Sequence, residues 1–343
     1  MMLTFVSEWA LARFGIIGSI ILFAIGFAAL IKGGDWFVDG SVGIAKKFHI
    51  PELLIGATVV SIGTTLPEVM VSSMSAATGE SAFAYGNAIG SIICNTALIS
   101  ALTVAIKPGL VNKKALIIPV VSFFIVAFIY AGVAEFKGYF SRPLGIIFLV
   151  LFVAYMVISV IHALKHPDEA DVEEVEKILP IWKSIIFLVL GAALIAVGAN
   201  FLVDNGSIIA EKMHIPKPVI GLTVIALGTS LPELVTAITS LIKGHGSLSL
   251  GNIIGANIFN LVLVSGMAMT IKPFAVPTDL TVAGMNSSLI IDIPVMLAVM
   301  GILTIPPLFK GKLKRWQGIL LLAIYAGFIT YMIAATLAKG SAV

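Results

Sequence analysis

The chain has 343 residues, of which 59% are hydrophobic and only 11% charged; its mean hydropathy is +1.10 and its formal net charge +3. Soluble domains run at roughly 45–50% apolar and about 25% charged, so a water-soluble fold cannot hide this much apolar surface and the chain reads as an integral membrane protein. No basic stripe interleaved with aromatics occurs, which excludes nucleic-acid binding, and the single cysteine, Cys94, excludes an internal disulfide or a cysteine-based metal cluster.

A spanning helix needs about 20 mostly apolar residues, and ten segments meet that need. The first five lie near 15–33, 53–77, 82–104, 115–133 and 144–163, and the second five near 184–202, 219–241, 248–270, 287–308 and 317–337. The first run has no clear signal-peptide cleavage site, so it is expected to stay as a helix. Between the two sets lies a polar stretch holding Asp168, Glu169, Asp171, Glu173, Glu174 and Glu176, which reads as a solvated tether. Lys and Arg in the loops divide 13 against 7, with Lys46, Lys107, Lys243 and Lys310 on the richer side. That side is expected to be cytoplasmic, which places both termini outside.

Residues 33–108 align without a gap on residues 198–273, at an offset of 165, with 31 identities in 76 positions. Chance would match Leu, Ile and Val, but not Gly, Pro, His, Asn and Glu in one register. With five spans in each half, the second half must enter the membrane from the opposite side. The expected fold is therefore an all-α membrane protein of ten transmembrane helices in two inverted five-helix repeats, residues 1–163 and 184–343, joined by the acidic linker 164–183. Inverted repeats of this kind are typical of secondary transporters, with a site at the bilayer midplane between the halves.

The repeated segment Gly63-Thr64-Thr65-Leu66-Pro67-Glu68 and its partner Gly228-Thr229-Ser230-Leu231-Pro232-Glu233 fall in the middle of spans 2 and 7. A proline there removes a backbone donor and clashes with the carbonyl four residues back, so both spans are expected to be broken at this point. Such a break survives in a bilayer only where something satisfies the freed groups. A carboxylate at that depth costs about 2.5 kcal/mol or more, and this chain bears the cost twice, at matching places, with no Lys or Arg in the central part of spans 2, 3, 7 or 8. Two carboxylates, freed carbonyls and neighbouring hydroxyls form an all-oxygen ligand set suited to hard cations such as Ca²⁺ and Na⁺. On the following spans Asn87, Ser91 and Asn95 recur every four residues as a polar stripe, and Asn252 and Asn260 match Asn87 and Asn95. Asp39 and Asp204 read as snorkelling or capping residues, His49 and His214 as turn formers, and Asp292 is assigned no role.

These motifs, present twice and in order, resemble the α-repeats of the sodium/calcium exchangers, here near 56–100 and 221–265 in a minimal, prokaryotic form. The resemblance implies a Na⁺/Ca²⁺ antiporter without cofactor or obligate protein partner, working by alternating access in the plasma (inner) membrane, with Ca²⁺ and Na⁺ as its substrates. It implies Glu68 and Glu233 as shared ligands, oxygens from Thr64 and Thr229, and lining by Thr65, Ser230 and the backbone at Ser61 and Ala226. Ser91, Asn95 and Asn260 match the remaining ligand positions. It further implies that spans 1 and 6 slide across the core to switch access. Ala256 departs from a Ser common in archaeal-type members, and Asn260 from an Asp associated with K⁺-dependent members, which argues against K⁺ co-transport. A Ca²⁺/H⁺ antiporter of the same superfamily is the rival reading, because a buried Glu can carry protons, and an antiporter of another divalent cation, such as Mn²⁺ or Mg²⁺, is a further alternative. An intramembrane protease lacks its paired Asp or its mid-span His, and a closed two-Glu site suits alternating access better than a channel.

Overall fold

Hydrocarbon offers backbone N–H and C=O groups no partners, so a chain this apolar must satisfy them within helices. The computed structural model describes residues 2–79, 81–165, 179–213, 226–278, 280–282 and 284–340. Among these, nine helices are long and apolar enough to cross a membrane. In chain order the helices are α1 (Met2–Phe14), α2 (Ile16–Phe48), α3 (Glu52–Thr78), α4 (Phe83–Ile106), α5 (Lys113–Lys137), α6 (Arg142–Lys165), α7 (Ile181–Lys212), α8 (Ala226–Thr229), α9 (Leu231–Ile242), α10 (Gly246–Ile271), α11 (Ser288–Lys310) and α12 (Arg315–Gly340). The start of the expected span 7, His214 and most of the acidic linker lie outside the described residues.

Two differences from the hydropathy reading have physical causes. Helix α1 is additional; Gly15, at φ 62° and ψ −153°, separates it from α2 in a backbone region open essentially to glycine alone. Helix α2 is 33 residues rather than the 19 of the expected span, about 50 Å at 1.5 Å per residue. Hydropathy falls at Lys32-Gly33-Gly34-Asp35, but the helix continues because its glycines are packed and its acids are paired. Lys243 Nζ lies 2.7 Å from Asp39 Oδ1 and 3.5 Å from Asp35 Oδ1. Asp39 is thus an ion-pair partner inside a helix, not the terminal snorkelling or capping residue expected. His49 ends α2 in the left-handed conformation, with its N–H on the carbonyls of Ala45 and Lys46, which agrees with a turn-forming role.

Helices α2 and α7 pack against each other along glycines spaced by seven. A Cβ on Gly26 would meet the Gly198 carbonyl oxygen at 2.9 Å, one on Gly33 the Gly191 oxygen at 2.9 Å, and one on Gly40 the Ser184 oxygen at 2.5 Å. As the number rises on one helix it falls on the other, so the pair is antiparallel. The bundle around the site consists of α3, α4, α9 and α10. Most of α4 and α10 is buried inside the protein, whereas α12 faces outward over most of its length. Helix α10 lies backbone to backbone on α3, where a Cβ on Gly255 would meet the Ala57 Cα at 2.6 Å and one on Gly56 the Asn252 N at 2.8 Å.

The bundle helices contain one-turn π segments, at Gly56–Val60 in α3, Asn95–Ser100 in α4 and Asn260–Val264 in α10. The last two start at positions separated by the repeat offset. The expected break at Pro67 is not found: Pro67 sits inside an uninterrupted helix, Ser61–Thr78, and the irregular turn comes before it at Gly56–Val60. Proline's fixed φ is itself helical, so its ring does not by itself end the helix. In the second half the helix is interrupted at Ser230, φ −92° and ψ 5°, between α8 and α9.

Replacing Gly191 by Val would push a side chain into the α2 backbone, 2.5 Å from Phe37 N. Overpacking of this kind costs about 1–3 kcal/mol. A lower melting temperature in detergent is expected for Gly191→Val, while Gly132→Ala, on α5 with open space around it, leaves the melting temperature unchanged or slightly raised.

Candidate functional site

Glu68 and Glu233 are both fully buried, at 0% exposure. Glu233 is in the first turn of α9, where the helix dipole favours an anion; Glu68 is one residue past Pro67 within α3. The two carboxyl groups are close enough to interact electrostatically. None of their four oxygens has a hydrogen-bond partner, and no cationic side chain among the described residues pairs with them. An unpaired carboxylate in a low-dielectric interior is strongly disfavoured, so this arrangement calls for positive charge between the helices.

The residues around the pair are arranged to present oxygen lone pairs. Thr64 and Thr65 of α3, in the first half of the chain, adjoin the Glu233 carboxyl of α9, in the second. Thr64 Oγ1 donates to Asn252 Oδ1 at 3.1 Å, which commits its proton and leaves its lone pairs available. Ser61 Oγ lies 2.8 Å from the Gly56 carbonyl oxygen, 3.0 Å from the Asn252 carbonyl oxygen and 3.3 Å from Asn252 Oδ1, each able to accept its one proton. The hydroxyls of Thr65 and Ser230 are buried without partners. The Tyr155 hydroxyl, from α6, donates at 2.9 Å to the carbonyl of Ala57 inside the first π segment.

A second layer comes from α4 and α10. Asn87 Nδ2 donates to Ser72 Oγ at 2.8 Å. Asn95 is fully buried with its Oδ1 unpartnered, and both side-chain polar atoms of Asn260 are buried without partners. The π segment that Asn95 opens packs on α9, and the one that Asn260 opens packs on the Pro67 helix. Ser91 is buried on α4, and Ala256 matches it on α10. Thr229 is half-buried in α8, and Ala226 is the first residue of that helix.

Two glycines of the repeated motif have a role beyond helix opening. A Cβ on Gly63 would meet the Phe37 ring at 2.9 Å, and one on Gly228 would collide with Val203, so each glycine makes room for a side chain of α2 or α7. Thr236 and Ser240, buried with unpartnered hydroxyls, were not among the expected site residues. They stand three and seven residues after Glu233, on the same helix face, so helical spacing could have identified them. Cys94 borders the site, next to Ser230 and Tyr325.

Among the described residues no group of three or more His, Cys, Asp or Glu gathers to hold a metal ion. The candidate site offers two acids with hydroxyl, amide and carbonyl oxygens, a set for hard cations rather than for transition metals.

The chain resembles known proteins over most of its length. Residues 18–161 and 183–334 match the family profile described as sodium/calcium exchanger protein. The chain is 30% identical over 360 residues to the sodium/calcium exchanger MaX1 of Methanosarcina acetivorans, covering 91% of this chain and 97% of that one. It is 37% identical over 263 residues to the inner membrane protein YrbG of Escherichia coli, covering 74% and 79%. A solved structure of the sodium-calcium exchanger NCX_Mj superposes with a TM-score of 0.76 at 30% identity, covering 92% of this chain and 98% of that chain.

Thr64→Val keeps the shape of the side chain and removes its hydroxyl. A hydrogen-bonding group of this kind contributes about 0.5–1.5 kcal/mol. Equilibrium binding of ⁴⁵Ca²⁺ to the purified protein is expected to weaken by about three- to tenfold, with the melting temperature little changed.

Proposed function

The chain belongs to the sodium/calcium exchanger family, and from that membership we propose that it is a Na⁺/Ca²⁺ antiporter whose two ions compete for one site built on Glu68 and Glu233. The observation that carries this reading is the pair of electrostatically interacting carboxyl groups, fully buried, with four unpartnered oxygens and buried hydroxyls near them from both halves of the chain. Ca²⁺ takes 6–8 oxygens at about 2.3–2.6 Å in flexible geometry, and two carboxylates balance its charge. Na⁺ uses the same hard oxygens with less charge to balance.

The ligands are Glu68 and Glu233, the Thr64 and Thr229 oxygens, the hydroxyls of Thr65 and Ser230, the backbone at Ser61 and Ala226, and Ser91, Asn95 and Asn260 from α4 and α10. Ala256 offers no hydroxyl where Ser91 has one, so the two halves of the site are chemically unequal. The two five-helix halves are inverted relative to each other. The antiparallel α2–α7 pair supports this, because the repeat offset of 165 turns the contact of Gly26 with Gly198 into that of Gly191 with Gly33. A twofold axis in the membrane plane generates this pattern. Access alternates as α2 and α7 move across α3, α4, α9 and α10. The lysine-rich loops place both termini on the extracytoplasmic side of the inner membrane.

A Ca²⁺/H⁺ antiporter is the second reading, favoured by the absence of a cationic partner for either buried acid among the described residues, since protonation also relieves their charge. Reconstitution into liposomes separates the two. Uptake of ⁴⁵Ca²⁺ is expected under an outward Na⁺ gradient, and Glu68→Gln reduces it to background. Uptake driven by a pH gradient alone would replace the Na⁺ assignment with a proton one. If no gradient moves Ca²⁺, the substrate is a different cation.

A further inference from the structure

Asn95 presents an unpartnered oxygen only because its amide nitrogen is held elsewhere. Asn95 Nδ2 donates to Asn257 Oδ1 at 3.3 Å. Asn257, fully buried on α10, donates through its own Nδ2 to Thr96 Oγ1 at 2.7 Å and to Met300 Sδ at 3.1 Å. Thr96 Oγ1 in turn lies 3.3 Å from Met300 Sδ, to which its proton points. These four residues come from three helices, α4, α10 and α11, and only Asn95 belongs to the proposed ligand set.

The direction of this chain is set at its sulfur end. A thioether can accept a hydrogen bond but cannot donate one. Both groups that face Met300 must therefore present hydrogen: Thr96 its hydroxyl proton and Asn257 its NH2. With its proton directed at sulfur, Thr96 Oγ1 is free to accept from Asn257. With the Asn257 nitrogen on this side, its oxygen faces Asn95 and accepts only from an N–H. Asn95 must then turn its nitrogen to Asn257 and its oxygen the other way, and that oxygen is the atom left buried without a partner. Reversing either amide sets oxygen against oxygen or oxygen against sulfur inside the protein, where an unmade hydrogen bond is costly.

We propose that Met300, Thr96 and Asn257 act as a polarity relay that fixes the amide of Asn95 with its oxygen toward the cation site, making Asn257 and Met300 positioning residues for cation binding. The relay rests on the reading of Asn95 as a ligand. Asn257 corresponds to Ile92 under the repeat offset, so the relay exists on one side only. Asn260, which matches Asn95, has neither side-chain atom partnered and can turn either end to the site. One amide is thus held as a constant acceptor while the other adapts, a second inequality between halves that share the glutamate motif.

The test is a set of double-mutant cycles read by transport in liposomes, with melting temperatures measured alongside. Met300→Leu conserves volume and removes the acceptor, and Asn257→Leu removes the link. Each is expected to raise the half-saturating concentration of Na⁺ or of Ca²⁺ by about tenfold with maximal rate little changed; the melting temperature stays near wild type in Met300→Leu and falls in Asn257→Leu, which strands the Asn95 amide donor. Thr96→Val should behave like Met300→Leu, and Thr96→Ser like the wild type. In an Asn95→Ala background none of these changes should have any further effect, because interacting residues give non-additive effects. Unchanged affinities, or effects that simply add to that of Asn95→Ala, would overturn the relay while leaving the exchanger reading intact. A wild-type protein with no Na⁺ or Ca²⁺ dependence would overturn that reading and the relay's role in cation binding together.

Discussion

Two fully buried carboxyl groups near enough to repel each other, in a bilayer and without a cationic side chain among the described residues beside them, are the constraint on which the rest of this protein is organised. Each charge alone would cost several kcal/mol at this depth, and their proximity adds repulsion. Such a pair is tolerable only if an ion or proton from outside completes it. The neighbours of Glu68 and Glu233 are consistent with that requirement. Thr64 spends its proton on Asn252, Asn95 spends its amide nitrogen on Asn257, and each keeps oxygen lone pairs in reserve. Hydrogen bonding away from the proposed site is what makes these groups acceptors toward it.

Bringing the acids together requires close helix approach, and glycine supplies it. Helix α10 touches α3 through Gly251 and Gly255, while Gly63 and Gly228 receive Phe37 and Val203 from the two long helices. In lipid there is little hydrophobic drive between helices, so small residues that permit close van der Waals packing set where helices meet. The same contacts join the long α2 and α7 to the site. A side chain of α2 rests on the residue that precedes Thr64, and one of α7 on the residue that precedes Thr229. Under the proposed mechanism, movement of either long helix changes the packing of a ligand-bearing segment directly.

The π segments supply backbone irregularity where regular helix would leave nothing to offer. They open at Gly56, Asn95 and Asn260, and π turns are frequent at functional sites. Serines help to satisfy the displaced carbonyls from five residues on, as Ser61 does for Gly56 at 2.8 Å and Ser265 for Asn260 at 2.9 Å. Tyr155 does so from another helix. The outer helices α6 and α11 therefore contribute more than enclosure: α6 supplies a hydrogen bond to the first π segment, and α11 carries Met300.

Much of this was legible in the sequence. Composition alone required a membrane protein, the offset of 165 related the two halves, and Glu68 and Glu233 stood out because a charged residue in an apolar span has a cost that only function or pairing explains. What composition and spacing could not reach depends on neighbours from distant segments. The extension of α2 through Asp39 depends on Lys243, more than 200 residues away, and hydropathy reads only local transfer cost. The expected break at Pro67 moved to a π turn before it, because proline is compatible with helix and packing decides where the irregularity falls. Asn257 has no counterpart in the first half, so the repeat gave it no signal. Its role arises only where Asn95, Thr96 and Met300 converge. The sequence by itself determined the solvent, the number of acids and their pairing by symmetry, because these follow from side-chain chemistry and register. Only the tertiary structure decided which atom of each polar group faces the site, because hydrogen-bond direction is set by whichever partners the fold brings within about 3 Å.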